Sequence, residues 1–319
     1  MTVRFRLSTP AGRAAALAAI DLHASAPESL DAFIRIFASV RTKPGELKLA
    51  DLAGIDRGLV IRWTETFAQL TPHGGAQVVD ELMKALETRG ATIVTEVDPF
   101  EAYPEARSTV DARALAALAQ AASPLAVDLL LSQHERWLSG TRSAEDVRTE
   151  RDLRLMQLID PPLVVVVGDP NVGKSTLLNT LAGRDLALVS GEAGTTRDHV
   201  GALIDLGGLV VRWVDTPGVR AAAGSEGDAI ELARRLAADA DLVIAVGDRT
   251  TADPRTIVDQ QPGLVVALRG DLGEPAWVHD LAVSAATGAG VAELVALVRE
   301  RLVPRADIEA REPWKFWVD

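Results

Sequence analysis

The sequence predicts an α/β fold: a mostly parallel sheet with helices on both faces, preceded by a small α+β domain and a helical segment. Three observations predict it. In the second half, continuous β-branched runs alternate with helical patterns, as strands buried on both faces of a parallel sheet require. A glycine-containing loop ending in Lys-Ser stands between the first of those runs and a helix. Ahead of it, a stretch rich in alanine and leucine reads as helix.

Taken in order, residues 1–104 form the α+β domain. Arg4, Arg6 and Arg13 precede the apolar run Ala14–Ile20. The run is alanine-rich and stopped by Asp21, so it is predicted to start a helix rather than to be a signal segment. Strand-like segments at Gly58–Trp63 and Ala91–Val97 flank a helix predicted over Ala76–Arg89, with Val78, Val79, Leu82, Met83 and Leu86 on one face. Residues 105–160 form the helical segment, with a first helix over Asp111–Ala122. Pro124 interrupts the pattern, a second helix follows through Trp137, and Ser139-Gly140 breaks it. Ser143 is predicted to cap a third helix over Ala144–Ile159, with Asp146 three residues on resembling a capping box and Pro161-Pro162 as the stop. Residues 161–303 carry strands at Leu163–Val167, Leu209–Val214, Leu242–Val246 and Leu264–Leu268, alternating with helices such as Asp228–Ala238 and Val291–Leu302. The tail, 304–319, gathers Trp314, Phe316 and Trp317, a cluster expected to dock on a surface of the same chain or of another.

The 319 residues are 48% hydrophobic and 24% charged, enough for packed cores. Lysine and arginine number 33 against 45 aspartates and glutamates, a net charge of −12. That balance argues against charge-driven binding to nucleic acid or an anionic membrane, though not against a local basic patch. With no cysteine there is no disulfide, no zinc-thiolate site and no cysteine nucleophile, which fits a cytoplasmic protein. No apolar stretch reaches the roughly 18 residues of a membrane span.

The chemistry concentrates in Gly168-Asp169-Pro170-Asn171-Val172-Gly173-Lys174-Ser175, followed by Thr176. Such a loop wraps phosphate oxygens with backbone N–H groups, which needs glycines, and the helix behind it favours an anion. Lys174 would place its charge between the β- and γ-phosphates, and Ser175 would offer a hydroxyl to Mg²⁺. Further on come Gly194-Thr195-Thr196-Arg197-Asp198 and Asp215-Thr216-Pro217-Gly218. Thr196 would complete the Mg²⁺ shell, Asp215 would hold the ion through water, and the Gly218 N–H would meet the γ-phosphate. In this order the motifs predict a P-loop GTPase domain that binds GTP or GDP with Mg²⁺.

The base-recognition motifs are altered. Leu268-Arg269-Gly270-Asp271 stands where Asn-Lys-x-Asp is expected. Asp271 can accept two hydrogen bonds from the guanine edge, and Arg269 can lie over the base, since guanidinium stacks on aromatic faces. Ser284-Ala285-Ala286 resembles the last base-contacting loop. The hydrogen bond lost with leucine at 268 is worth roughly 0.5–1.5 kcal/mol, which weakens guanine preference without abolishing it.

These motifs resemble the translation-factor-related GTPases of the TrmE, Era and EngA type, and within them the tRNA-modification GTPase TrmE (MnmE) family. Outside the nucleotide domain, Ser8-Thr9-Pro10-Ala11-Gly12-Arg13 and His73-Gly74-Gly75 look like that family's opening and His-Gly-Gly segments. The resemblance implies slow, K⁺-stimulated GTP hydrolysis. Val219, at the position of the glutamine found in many small GTPases, cannot orient a water. A K⁺ ion would instead be held by Asn171 and by carbonyls of Ser190–Gly194, with Glu226 positioning water. It further implies tRNA or a tRNA-modifying protein as partner, and a homodimer. The chain departs from the family in having no cysteine, and in Thr66-Phe67-Ala68-Gln69 where the family has a longer acidic segment, so His73 is read as a turn residue rather than a folate contact. Two alternatives stay open: an Era- or EngA-like ribosome-assembly GTPase, and a scaffold that holds nucleotide without turnover.

Overall fold

The computed structural model describes residues 3–9, 15–183, 202–215, 235–257 and 261–317. The chain forms two compact units, Met1–Ala116 and Ala117–Asp319.

In the first unit six strands form one sheet: β1 (Val3–Leu7), β2 (Ile20–Ala24), β3 (Leu47–Leu52), β4 (Asp56–Arg62), β5 (Phe67–Thr71) and β6 (Ala91–Ile93), in the order β3-β4-β5-β2-β1-β6. Pairing is antiparallel except between β1 and β6. Alternation along the strands buries Val3, Phe5, Ile20, Leu22, Val60 and Leu70 in one core. The same core takes Leu30, Phe33, Ile34 and Phe37 of helix α1 (Pro27–Ala38), and Leu82 and Leu86 of helix α2 (Ala76–Thr88). Of the predicted face of α2, Leu82 and Leu86 are in the core and Val78 and Met83 pack at its margin, while Val79 stands outside the cluster.

Two local expectations fail here. The described part of the run Ala14–Ile20 is not helical; Ile20 opens β2, fully buried opposite Leu7 and Leu70. The N–H of Ala18 donates to the Pro72 carbonyl and that of Gly74 to Ala16, so non-local partners outcompete alanine's helical preference. The strand expected over Ala91–Val97 ends at Ile93, where its pairing with β1 runs out, and Asp98 then caps the short helix α3 (Pro99–Ala102).

The helical segment begins with α4 (Thr109–Gln120), inside which the unit boundary falls. The predicted second helix is split at Ser132 into α5 (Ala126–Leu131) and α6 (Gln133–Leu138). The third is shorter than expected, α7 (Glu150–Met156). Ser143 and Asp146 do bond each other, but only as a turn. The capping box is Thr149 with Asp152, because Asp152 has further partners that Asp146 lacks. Its fully buried carboxylate accepts from both Arg142 guanidinium nitrogens, at 2.8 and 2.6 Å, and from the Lys315 N–H at 3.0 Å.

The second sheet joins β7 (Leu163–Val167), β8 (Ala202–Asp205), β9 (Val210–Asp215), β10 (Leu242–Gly247), β11 (Leu264–Leu268) and β12 (Leu281–Val283), in the order β12-β11-β10-β7-β9-β8. All pairs are parallel except β8 with β9. Helix α8 (Lys174–Gly183) follows β7, and α9 (Val291–Leu302) follows β12, as predicted for the latter. Of the expected helix Asp228–Ala238, only its helical end from Arg235 lies within the described residues. The helical segment is fastened to this sheet through Ser123, whose hydroxyl accepts the Val210 N–H at 3.0 Å.

After the short helix α10 (Arg305–Glu309), the aromatic tail docks within its own unit. Trp314, Phe316 and Trp317 are buried, and Trp137 lies 5.1 Å from the Trp317 ring. The Gln133 amide oxygen accepts from the Trp314 N–H at 2.8 Å. Among the described residues no helix is long and apolar enough to cross a membrane.

Burial alone would raise the Asp152 carboxyl, but its bonds from Arg142, Thr149 and the Lys315 N–H outweigh burial and hold it below the ordinary value. This stabilisation is therefore present above the unfolded carboxyl value of about 3.9 and is lost as pH falls through the lower folded value. Asp152→Asn is expected to cost about 3 kcal/mol at neutral pH, because Arg142 is left without its counter-charge. Urea denaturation across pH is expected to show a shallower acid loss in the variant than in the parent.

Candidate functional site

The site begins where β7 leaves its sheet. A side chain at Gly168 would put a Cβ 2.2 Å from the Val246 carbonyl on the neighbouring strand, so only glycine fits. The chain then turns back on itself, with Asn171 at φ 66° and Gly173 at φ 111°, both left-handed. Val172 is buried and pins the loop to the domain. Asp169 and Pro170 are exposed on its outer edge.

Lys174 is the first residue of α8 and only 4% exposed. Its ammonium donates to the carbonyls of Gly168 at 2.9 Å and Asp169 at 2.8 Å, which aims the cation into the loop. Ser175 and Thr176 follow, both exposed at the helix start. Strand register supplies Asp215: β9 runs parallel to β7 with Asp215 level with Val166. Its Oδ2 accepts the Ser175 hydroxyl at 2.8 Å, while its Oδ1 is buried with no hydrogen-bond partner among the described residues. Burial raises the Asp215 carboxyl, partly offset by the Ser175 hydroxyl and the Lys174 charge. A hydroxyl beside an unsatisfied carboxylate oxygen is a hard-oxygen donor set of the kind Mg²⁺ prefers, so these residues fit that ion.

The neighbouring strands bring in the residues that the sequence predicts to meet the base. Arg269, itself left-handed at φ 55°, follows β11. Its guanidinium donates to the Asn171 carbonyl at 2.5 Å and to Asp248 Oδ2 at 3.1 Å. It therefore ties the base-side turn to the phosphate loop, and remains half-exposed. Leu268 is buried, its Cδ1 within 3.9 Å of where a Gly173 side chain would start. Asp271 is exposed in a 3-10 turn, Gly270–Leu272. Ser284 is buried and its hydroxyl accepts the Thr287 N–H, while the Ala285 carbonyl accepts the Thr180 hydroxyl of α8 at 3.4 Å.

Of the predicted site residues, the structure thus brings together Lys174, Ser175 and Asp215, and separately Asn171 and Arg269. Thr196, Gly218 and Glu226, with Val219 and the loop Ser190–Gly194, lie outside the described residues. Sequence reasoning missed Asp248. Its carboxyl would be raised by burial, but the Thr250 hydroxyl and N–H and the Arg269 guanidinium hold it below the ordinary value. The signal available was an aspartate ending a buried strand with a threonine two residues on, a pattern that by itself marks only a turn.

Residues 163–267 match a family model described as 50S ribosome-binding GTPase. The tRNA modification GTPase MnmE of Acidiphilium cryptum is 46% identical over 144 residues, covering 44% of this chain and 32% of that protein. That of Ruegeria pomeroyi is 36% identical over 249 residues, covering 77% and 52%. That of Rhizobium meliloti is 28% identical over 350 residues, covering 88% and 78%. The chain thus spans about a third of the first relative and half of the second. Among solved structures, the G domain of the T. maritima FeoB iron transporter is 24% identical, covering 43% of this chain and 96% of that one at a TM-score of 0.29.

Gly168→Ala places its methyl group on a backbone carbonyl that cannot swing aside. Loss of binding to a fluorescent guanine nucleotide is expected, together with a lowered melting temperature, both read on the purified chain.

Proposed function

We propose that this chain, whose second half is a P-loop GTPase domain similar to that of the MnmE tRNA modification GTPases, binds guanine nucleotide with Mg²⁺ and hydrolyses GTP to GDP and phosphate. The observation that carries this reading is the pairing of Ser175 with Asp215 beside an inward-aimed Lys174, at the mouth of a loop that only glycine can start. When bound, Mg²⁺ would neutralise charge on the β- and γ-phosphates.

The chain's own residues supply the rest. Lys174 would exchange its two carbonyl partners for phosphate oxygens, while the N–H groups at the start of α8 face the same anion. Ser175 and Asp215 would hold the ion, Thr196 would complete its shell, and the Gly218 N–H would meet the γ-phosphate as water attacks its phosphorus. Glu226 would orient that water. Asn171 would hold K⁺, a cation placed to stabilise charge as an arginine finger does. Arg269, Asp271, Ser284 and Ala285 would receive the base.

A link to tRNA modification rests on the name that the relatives share. In that proposal residues 161–303 act as the switch, residues 1–104 meet tRNA or a partner protein in the cytoplasm, and the chain works as a homodimer. A second reading, a scaffold that holds nucleotide without turnover, draws on Leu268, which offers the base no polar group.

GTP turnover measured in KCl and in NaCl at equal ionic strength tests the reading. Faster turnover in KCl is expected. Lys174→Ala should lower turnover by about a hundredfold or more. Asn171→Gly, which keeps the left-handed backbone at φ 66° while removing the side chain, should remove the K⁺ stimulation and leave nucleotide affinity within about threefold, as expected for a group acting on the transition state alone. Bound nucleotide with no turnover in either salt would favour the scaffold.

A further inference from the structure

We infer that Asp248 is a positioning residue of the base site: it fixes the Arg269 guanidinium as the surface on which the guanine ring lies. That role rests on the guanine-nucleotide binding proposed above. Asp248 follows β10 directly, and its side chain is only 5% exposed. Its Oδ1 accepts the Thr250 N–H at 2.8 Å and the Thr250 hydroxyl at 2.6 Å. With Oδ1 so occupied, Oδ2 is left for Arg269, whose Nη1 donates to it at 3.1 Å.

The turn that carries Asp248 is braced independently of Arg269. The Asp248 N–H donates to the Thr251 hydroxyl at 3.0 Å, and the Thr251 N–H donates back to the Asp248 carbonyl at 3.1 Å. The Trp277 indole N–H donates to the Thr251 carbonyl at 3.3 Å. A Cβ at Gly247 would stand 2.9 Å from the Trp277 ring, so the indole lies directly on the strand end. The carboxylate is thus set in place before it meets the guanidinium.

Arg269 has need of such an anchor. Its side chain is 47% exposed, and its Nη2 donates to a neutral carbonyl, that of Asn171, at 2.5 Å. A guanidinium held at one nitrogen can pivot, whereas one held at both, by groups on two different loops, has its plane set. Leu268 offers the base no polar group, so base contact falls to Arg269 and to Asp271 two residues on. The Leu272 N–H closes this turn on the Arg269 carbonyl at 2.8 Å. Ordering the guanidinium in the free protein removes that cost from binding. Because Arg269 is half-exposed, the effect on affinity is expected to be about tenfold, smaller than for a fully buried pair.

Equilibrium binding of a fluorescent GDP to the full chain tests this role in a double-mutant cycle. Asp248→Asn can still accept from Thr250 but then turns an amide NH₂ toward Arg269, donor against donor. GDP affinity is expected to fall about tenfold in Asp248→Asn and by a similar factor in Arg269→Ala. The double variant is expected within about twofold of Arg269→Ala, because Asp248 acts through Arg269. A purely structural role for Asp248 in its own turn would survive the loss of Arg269, and the two losses would then multiply. Thr250→Val keeps the size of the side chain and removes one of the two bonds to Oδ1, so it serves if circular dichroism shows that Asp248→Asn does not fold. It is expected to weaken GDP binding about threefold in the parent and not in the Arg269→Ala background. Unchanged affinity in these variants, or losses that multiply, overturns the role of Asp248 and leaves nucleotide binding standing. No GDP binding to the parent chain overturns the nucleotide reading and this role with it.

Discussion

A buried ammonium group must be given partners, and the functional end of the second unit is arranged around that requirement. Lys174 is almost wholly removed from water, and an isolated charge there would be prohibitively costly. The carbonyls of Gly168 and Asp169 meet it, which they can do only if the chain doubles back after β7. That reversal needs the two left-handed residues, Asn171 and Gly173, and it needs Gly168 to pass β10 without a side chain. The loop's shape thus follows from one cation and one close approach. A phosphate group entering the loop would find the cation already in position, with no charge to bring in from solvent.

The sheet then decides what surrounds the loop. Asp215 reaches Ser175 because β9 lies beside β7 in a fixed parallel register. On the other side, β10 and β11 end nearly level, with Gly247 paired to Ala267, so Asp248 and Arg269 emerge side by side. Arg269 holds the Asn171 carbonyl and links the base-side turn to the phosphate side. The buried Leu268 keeps packing at this junction but supplies no polar contact.

A second buried charge organises the far part of the unit by the same logic. Asp152 gathers Arg142, the first turn of α7 and the backbone of Lys315 onto one carboxylate. The tail is thereby fixed across the helical segment, and its tryptophans fill the space so enclosed. The carbonyls of Ala310 and Pro313 accept from Arg136 and Arg142, which leaves the incoming strand of tail well satisfied.

Legibility in the sequence follows from how local each cause is. Leu163–Val167 and Leu264–Leu268 could be read as buried strands, because every residue in them is apolar and suits a sheet covered on both faces. Val291–Leu302 and the buried face of α2 declared themselves through helical periodicity. The phosphate loop was visible because its glycines and its lysine serve requirements that lie within eight consecutive residues. The short strands β8 and β12 were not visible, since three or four residues carry too little pattern and take their conformation from a neighbour. Thr149 prevailed over Ser143 as a helix cap because Asp152 also meets Arg142 and Lys315. The sequence by itself determined the nucleotide loop and the central strands, whose causes are local. The tertiary structure alone decided the cap, the docking of the tail and the pairing of Arg269 with Asp248, because each depends on a partner that only folding brings near.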